Sequence, residues 1–199
     1  MKIVFVRHGE TDENAAQTYL GHTDASLNEH GQDQIERFSP QLVDEWDTFY
    51  SSDLKRCQET AGIIAKNLNL KRTPTLVPAL RELNFGAWEC RTYEQIMAAD
   101  HVQVTAWIDN PFEIAPPNGE TLVQLGGRFD AWFEQLLQQA HFDEKIMIVC
   151  HGGPIRWFKS KWLLGDPKQF WYIDGIKHGH GLLVHYDKNE KQFTKVKYI

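Results

Sequence analysis

Two stretches of the sequence decide the fold: Lys2-Ile3-Val4-Phe5-Val6-Arg7-His8-Gly9-Glu10-Thr11 near the start, and Ile146-Met147-Ile148-Val149-Cys150-His151-Gly152-Gly153 near the end. In each, a continuous apolar run rich in β-branched residues predicts a strand buried on both faces. Each apolar run is followed within two residues by a histidine, and a glycine comes directly after that histidine. Ligands of parallel sheets bind at the carboxyl ends of strands, so the two histidines indicate a functional site.

The remaining hydrophobic pattern predicts strands that alternate with helices. Further strands are expected over residues 48–51, 73–77, 182–186 and 192–197. Helices are expected over residues 32–45, 54–68, 93–109 and 121–139, and from Pro154 onward. Residues 12–31 are expected to form a loop broken by Gly21 and Gly31, and Asp53 to cap the second helix. This alternation predicts an α/β fold, a three-layer α/β/α sandwich with a mainly parallel central sheet.

Length and charge limit the number of domains and the classes of ligand that the protein is expected to bind. The 199 residues carry 21 Lys and Arg against 27 Asp and Glu, a net charge of −6. This balance argues against a nucleic-acid binder, which needs a basic face to neutralise phosphates. It allows a small anionic substrate, since a few arginines can dominate a pocket. A single domain over residues 1–199 is expected for a chain of this size.

Neither a membrane segment nor a disulfide framework is expected. No stretch approaches the roughly 20 apolar residues that cross a bilayer, and the N-terminal apolar run is too short for a signal peptide. The three cysteines, Cys57, Cys90 and Cys150, are far apart and odd in number, which is not typical of a disulfide framework or a zinc site. We therefore expect a cytoplasmic protein with no membrane partner, as a monomer or a homodimer.

A series of motifs across residues 2–160 resembles the histidine phosphatase superfamily, in its phosphoglycerate-mutase-like branch. The motifs stand in the order of that family: Arg7–Thr11 with Asn14, Gly21–Asp24, Tyr50–Ala61, Leu80–Glu89, Pro117–Thr121 and His151-Gly152. The resemblance implies a mainly parallel sheet between helices, with the site at the strand ends. It also implies hydrolysis of a small phosphomonoester without a metal or other cofactor.

The resemblance identifies His8 as a nucleophile that forms a phosphohistidine. Its imidazole must be neutral to attack, and the nearby charges of Arg7 and Arg56 favour the neutral form. Both guanidinium groups are expected to bind phosphoryl oxygens in a planar fork that lysine cannot reproduce. The alternative for Arg56 is an ion pair with Asp53 or Glu59 along its helix.

Two further groups complete the expected chemistry. His151 is expected to donate a hydrogen bond to the phosphoryl group. Glu82 is expected to protonate the leaving oxygen and then to deprotonate the attacking water. Glu10 and Glu89 lie near the same motifs and are alternative carboxylates.

Other residues are expected to contact phosphate or the rest of the substrate. Asn14 and Gly152 are expected at the phosphate, with loop stiffening as the alternative for Asn14. The expected substrate contacts are Gly21, Thr23, Trp88 and Trp107, and residues 80–120 are expected to form a cap or lid over the site. The two tryptophans would stack on an aromatic leaving group, with core packing as the alternative.

Two features depart from the family pattern. Histidines at positions 178 and 180 replace the small polar residues usual in that segment, which leaves open what lines this side of the pocket. With His185 they have the alternating spacing of a metal site on a strand, but no carboxylate or cysteine partner is evident. Cys90 stands where many relatives have glycine, which puts the local turn in question.

Within the superfamily, the chain looks most like the α-ribazole phosphatases of cobalamin biosynthesis. This resemblance rests on the chain length, Phe85–Glu89, Trp107 and Pro116–Glu120. The alternative is a broad-specificity or sugar-phosphate phosphatase. A phosphoglycerate mutase is disfavoured, because Glu82 is not followed by the cationic run that would hold a second acidic group. A non-catalytic regulator that binds a phosphorylated ligand is a different class, and it would be expected to have lost one of the site residues.

Overall fold

The computed structural model describes all residues, 1–199, and its centre is one six-stranded sheet. The spatial order of the strands is β3-β2-β4-β1-β5-β6. Strands β1 to β4 are mutually parallel, and β5 runs antiparallel to both β1 and β6. The strands are β1 Lys2–Arg7, β2 Thr48–Ser51, β3 Thr75–Leu76, β4 Lys145–Cys150, β5 Gly181–Asp187 and β6 Gln192–Tyr198.

Six α-helices connect these strands. They are α1 Asp12–Ala15, α2 Glu29–Phe38, α3 Lys55–Asn67, α4 Tyr93–Asp109, α5 Leu122–Gln139 and α6 Gly152–Trp157. Helix α6 continues directly into a π-helical segment, Phe158–Leu163. None of the helices is long and apolar enough to cross a membrane.

Alternation along β1 shows that both faces of the sheet are covered. Ile3 and Phe5 belong to a core cluster that includes α5 residues, whereas Val4 and Val6 belong to a second cluster with residues of α2 and α3. Successive side chains of a strand point to opposite faces, so helices pack on both sides. The predicted α/β sandwich with a mainly parallel sheet is confirmed.

The sheet brings the two predicted histidines to one edge. Strands β1 and β4 are parallel neighbours, with Arg7 opposite Cys150 in the register. The next residues, His8 and His151, therefore leave the sheet side by side. Strand β5 begins at Gly181, opposite Val6, so the segment before it reaches the same edge.

Several local predictions were wrong. The helix expected over residues 32–45 instead spans Glu29–Phe38, and the loop expected over residues 12–31 contains α1. Gly31 does not break the chain but lies inside α2, whose N-cap is Asn28, because the Asn28 side chain accepts the Gly31 N–H at 2.7 Å. Asp53 does not cap α3, which has Leu54 at its N-cap and no side-chain cap. The Asp53 carboxylate instead accepts two hydrogen bonds from Arg81.

Cys90 occupies a turn that favours glycine. Its φ of 59° lies in the left-handed region, which costs a residue with a Cβ atom about 1–2 kcal/mol. The Cys90 N–H donates to the Tyr19 carbonyl at 2.8 Å, which helps to hold the turn. Cysteine thus occupies a backbone conformation that favours glycine.

Candidate active site

The edge formed by β1 and β4 gathers three histidines and two arginines. The His8 ring lies 5.0 Å from the His151 ring and 5.2 Å from the His178 ring, between centroids. Arg7 precedes His8 at the end of β1, and Arg56 comes from the first turn of α3. Residues far apart in the chain thus form one cationic cluster at the predicted place.

His8 is buried and held in one tautomer. Its Nδ1 atom lies 2.7 Å from the Gly9 carbonyl oxygen, which can only accept, so Nδ1 carries the hydrogen. The Nε2 lone pair is then left available. Burial lowers the pKa of His8 well below its usual value, and the charges of Arg56 and Arg7 lower it further. His8 is therefore a neutral imidazole at pH 7, as a nucleophile requires.

Arg56 is fully buried and hydrogen-bonded through all three nitrogens. Its two terminal nitrogens donate to the carbonyls of Thr23 and Gly21 at 2.9 and 2.7 Å, and Nε donates to His151 Nδ1 at 3.2 Å. Ion pairing with Asp53 or Glu59, the alternative for Arg56, does not occur. The backbones of Gly21 and Thr23 therefore orient Arg56 in this structure, while their contact with substrate stays a prediction.

His151 is also fully buried, and both of its nitrogens have partners. Since Arg56 Nε can only donate, His151 Nδ1 accepts, and the hydrogen lies on Nε2, which is 2.9 Å from Ser52 Oγ. Burial lowers its pKa well below the usual value, helped by Arg56 and His8. Its predicted hydrogen bond to the phosphoryl group stays a prediction, and it would require Nε2 to share or exchange Ser52.

Arg7 lies at the mouth of the cluster. One terminal nitrogen donates to the Ile176 carbonyl at 2.7 Å, whereas Nε is buried and has no partner. Burial lowers the pKa of Arg7 below its usual value, while Glu82 raises it. An arginine remains charged in any protein, so Arg7 brings positive charge next to His8.

Glu82 stands close to Arg7 across Gly152. Both carboxylate oxygens of Glu82 accept the Gly153 N–H at 3.0 Å, and one accepts the Leu83 N–H at 2.8 Å. A Cβ atom on Gly152 would lie 3.4 Å from Arg7 Cζ and 3.5 Å from Glu82 Oε2. Both distances are ordinary van der Waals contacts, so Gly152 lies beside both the carboxylate and the guanidinium, and the space admits a Cβ atom.

The two alternative carboxylates, Glu89 and Glu10, form hydrogen bonds with loop residues. Glu89 accepts the His22 N–H at 2.6 Å and also binds both the backbone and the hydroxyl of Thr23. Glu10 accepts a hydrogen bond from Asn28 Nδ2 at 3.1 Å. Of the three carboxylates, Glu82 is the one whose oxygen lies against Gly152 beside Arg7.

Asn14 forms a capping box at the start of α1. Its Oδ1 accepts the Thr11 N–H, and its own N–H donates to Thr11 Oγ1, both at 3.2 Å. The alternative of loop stiffening therefore has a structural basis. A phosphate contact of Asn14 stays a prediction.

Trp88 and Trp107 are core residues. They are 2% and 4% exposed and pack edge to face, with ring centroids 5.4 Å apart. Core packing, the alternative for both, is thus what the structure shows. Trp107 also lines an apolar cavity of about 440 Å³ and leaves its Nε1 atom buried without a partner.

Three residues of the site were missed or left without a role by sequence reasoning. Ser52 follows β2 and holds His151, and Arg128 of α5 donates to the carbonyls of Arg81 and Glu82 at 2.7 and 2.8 Å. Their partners are tens of residues away, so no local pattern marks them. The position of His178 does indicate a place near the site, because it stands three residues before β5, which begins at the edge where β1 ends.

No group of three or more His, Cys, Asp or Glu side chains is arranged to hold a metal ion. His180 Nδ1 lies 3.0 Å from the carbonyl of His178, to which it donates. His185 lies further along β5, opposite Lys2. The histidines at 178, 180 and 185 therefore do not converge.

A neutral histidine flanked by two arginines, at the carboxyl end of parallel strands, is suited to a phosphoryl group. Residues 3–198 match the family model of the histidine phosphatase superfamily, branch 1. This chain belongs to that superfamily. The resemblance expected from the motifs is confirmed.

Relatives with curated names include phosphatases, which supports a hydrolase. Phosphoserine phosphatase 1 of Hydrogenobacter thermophilus is 27% identical over 199 residues, covering 98% of this chain and 92% of the relative. Adenosylcobalamin/alpha-ribazole phosphatase of Escherichia coli is 28% identical over 175 residues, covering 87% of this chain and 84% of the relative. The crystal structure of the alpha-ribazole phosphatase from Shigella flexneri has a TM-score of 0.84 and 24% identity, covering 98% of this chain and 94% of that one. That similarity shows the shared fold.

Proposed function

We propose that this protein hydrolyses phosphomonoesters through a phosphohistidine on His8. The observation that carries the proposal is the state of His8: it is neutral, its Nδ1–H is fixed on Gly9, and the charges of Arg56 and Arg7 are close enough to lower its pKa. A lone pair on a fixed, neutral ring is what attack on phosphorus requires. The two arginines neutralise the charge of the phosphoryl oxygens as the bond forms.

The reaction has two steps. In the first, His8 Nε2 attacks phosphorus, the P–O ester bond breaks, and Glu82 gives its proton to the leaving alkoxide. In the second, water attacks the phosphohistidine, Glu82 takes the proton of that water, and the N–P bond breaks to release inorganic phosphate. The proton that Glu82 gives up in the first step returns to it in the second, and His8 begins and ends neutral.

The positive charge in this mechanism comes from side chains. Arg7 and Arg56 bring two guanidinium groups to the phosphoryl site, the part that a metal ion performs in other phosphatases. We therefore propose a metal-independent reaction. Hydrolysis of p-nitrophenyl phosphate should continue at an unchanged rate in excess EDTA. A loss of rate that Mg²⁺ or Zn²⁺ restores would contradict this proposal.

For the substrate we propose α-ribazole 5′-phosphate, whose leaving group carries a flat aromatic base. The support is the apolar cavity, lined only by Tyr19, Phe85, Trp107, Ile108, Trp171 and Tyr172. Phe85 follows Glu82 by three residues, so the Cα atoms of the two residues are at most about 11 Å apart. An aromatic cavity within this distance of Glu82 is expected to bind a planar leaving group better than a small charged one.

The second candidate is O-phosphoserine, the substrate named for the Hydrogenobacter relative. Its leaving group is a small zwitterion, which would gain nothing from six apolar residues. We expect kcat/KM for α-ribazole 5′-phosphate to exceed the value for O-phosphoserine and for p-nitrophenyl phosphate by about 10³-fold, or roughly 4 kcal/mol of transition-state binding.

A matched pair of variants connects this preference with the cavity. Trp171→Ala removes an aromatic wall at a 44% exposed position, and Tyr198→Ala removes an exposed aromatic ring outside the cavity. The first should reduce the preference for α-ribazole 5′-phosphate, and the second should not. Equal kcat/KM for all three substrates would instead indicate a broad-specificity phosphatase. Absence of turnover with every phosphomonoester, with tight phosphate binding, would indicate a non-catalytic regulator.

A further inference from the structure

His178 is a half-buried histidine to which the mechanism above gives no part. It lies in the segment before β5, where the Gly179 N–H donates to the carbonyls of Arg7 and His8, both at 3.2 Å. This backbone contact fixes the segment against the end of β1. The His178 ring is held 5.2 Å from the His8 ring, centroid to centroid.

Two polar atoms in this corner have no partner. His178 Nε2 and Arg7 Nε are both buried without a hydrogen bond. Leaving a buried donor unpaired is costly, and such atoms in a native fold call for a specific explanation, an absent ligand among them. Both atoms belong to residues that adjoin His8, on which the proposed reaction places a phosphoryl group.

We propose that His178 donates a hydrogen bond from Nε2 to the phosphoryl group at His8, in concert with Arg7 Nε. The inference rests on the proposed function, because it needs a phosphoryl group at this position. His178 is then a third histidine of the phosphoryl site, and its contact is additional to the predicted contacts of the two arginines.

The charge state of His178 is compatible with donating a hydrogen bond to the phosphoryl group. Burial lowers the pKa of His178 to about 3, and Arg7 and Arg56 contribute to the shift. The ring is therefore neutral at pH 7 and supplies an N–H donor without a further positive charge beside His8. Its other nitrogen, Nδ1, can stay unprotonated, so that Nε2 carries the hydrogen.

Three variants test the contact. His178→Phe keeps a ring and removes the donor, whereas His178→Gln places an amide N–H at a similar reach. His180→Gln is the matched control, because His180 is exposed and close in sequence. Each variant is first checked for its thermal unfolding midpoint. The readouts are the inhibition constant of inorganic phosphate against p-nitrophenyl phosphate, and KM and kcat separately.

We expect H178F to weaken phosphate binding by about 10- to 100-fold, the loss of one hydrogen bond to a charged group. H178Q should recover part of this loss, and H180Q should bind phosphate like the parent. Phosphate binding by H178F equal to that of the parent would overturn the inference. So would an equal loss in H178F and H178Q, because that result marks a packing role.

A measurement on the unaltered protein remains decisive if H178F fails to fold. In protein labelled with ¹⁵N-histidine, the Nε2–H resonance of His178, assigned through its loss in H178Q, should shift when inorganic phosphate is added. A shift of the His8 resonances with none at His178 would overturn the inference and leave the proposed function standing. If the parent neither hydrolyses p-nitrophenyl phosphate nor binds phosphate, both fail together.

Discussion

Arg56 shows how one buried charge organises the residues around it. Its three nitrogens hold the carbonyls of Gly21 and Thr23 and the ring of His151. Each terminal nitrogen of a guanidinium keeps a second N–H, so Arg56 can bind phosphoryl oxygens without releasing these partners. The same side chain therefore positions the loop after β1 and prepares the site for an anion.

Glu82→Gln tests the proposed acid. The amide cannot protonate a leaving alkoxide, so kcat/KM for an alkyl phosphate, which reports the first step, should fall about 10²- to 10⁴-fold. The fall in kcat/KM should be much smaller for p-nitrophenyl phosphate, whose leaving group needs little protonation. The measurement is kcat/KM for both substrates at pH 7, because the second step, which limits kcat when it is slow, needs Glu82 as a base for either substrate.

Glu89→Gln is the control for that variant. Glu89 holds the loop at His22 and Thr23, and any change should affect both substrates by the same factor. If E89Q lost activity selectively on the alkyl phosphate and E82Q did not, Glu89 and not Glu82 would be the general acid.

Three histidines with lowered pKa values predict how stability depends on pH. The pKa values of His8, His151 and His178 are lowered in the folded protein, so only the unfolded chain takes up their protons as the pH falls below about 6.5. The free energy of unfolding should therefore decrease between pH 6.5 and 5, with each histidine adding a slope of up to about 1.4 kcal/mol per pH unit.

Urea unfolding at a series of pH values measures this slope. His22 and His185 shift in the same direction and add to it. H178F removes one of the titrating groups and should give a shallower slope. A free energy of unfolding that stays constant or rises on acidification across this window would show that the buried rings are not held neutral.

At the scale of elements, α5 joins the core to the segment that carries Glu82. Its apolar face carries Phe129 and Phe133 against Phe5 of β1. Its Arg128 donates to the Glu82 carbonyl and to the Glu120 carboxylate. The helix therefore fixes the backbone of the proposed acid relative to the strand that bears His8.

Two adjacent glycines of α5 should respond oppositely to alanine. Gly127 is exposed and has open space for a methyl group, so G127A should stabilise the protein by about 0.5–1 kcal/mol through helix propensity. A Cβ atom on Gly126 would lie 2.0 Å from the Trp157 ring, which Asp130 holds through its Nε1–H. G126A should therefore destabilise by about 1–3 kcal/mol through overpacking.

The free energies of unfolding of the two variants in urea decide this prediction. Equal changes in the same direction would contradict the packing of α5 against α6.

Element prediction succeeded where a signal was local. The apolar runs of β1 and β4 and the apolar periodicity of α5 identify those elements directly, and Thr48–Ser51 is a strand as expected. The prediction that Asp53 caps α3 failed because its carboxylate accepts hydrogen bonds from Arg81, 28 residues later. Local capping rules do not include such a distant competitor. The prediction for Gly31 failed because its N–H donates to the Asn28 cap, so the glycine lies in the first turn of a helix instead of breaking the chain.

At the scale of the whole molecule, the sheet order creates the site. Strand β4 lies between β2 and β1, so His151 stands between Ser52, which follows β2, and His8, which follows β1. Sequence motifs predict which residues take part because each motif is short and local. They do not predict Ser52, Arg128 or the placement of His178, which depend on strand order and on helix packing.

The net charge of the molecule contrasts with that of its site. The chain carries −6 overall, whereas Arg7 and Arg56 leave a positive centre at the edge of β1 and β4. A local cationic pocket on an acidic surface attracts anions at that place and repels them elsewhere. This distribution fits a small phosphomonoester and disfavours a polyanion that would contact a wide surface.

The most direct test of the proposed mechanism is to detect a phosphoryl group on His8 during turnover. The protein is mixed with excess phosphomonoester for less than one turnover and quenched in alkaline denaturant, because phosphohistidine is labile in acid, and its peptides are then mapped by mass spectrometry. We expect the peptide containing His8 to gain one phosphoryl group, and the same peptide of H8Q to gain none. Product release in a first turnover that leaves His8 unmodified, or a phosphoryl group on another residue, would contradict the mechanism.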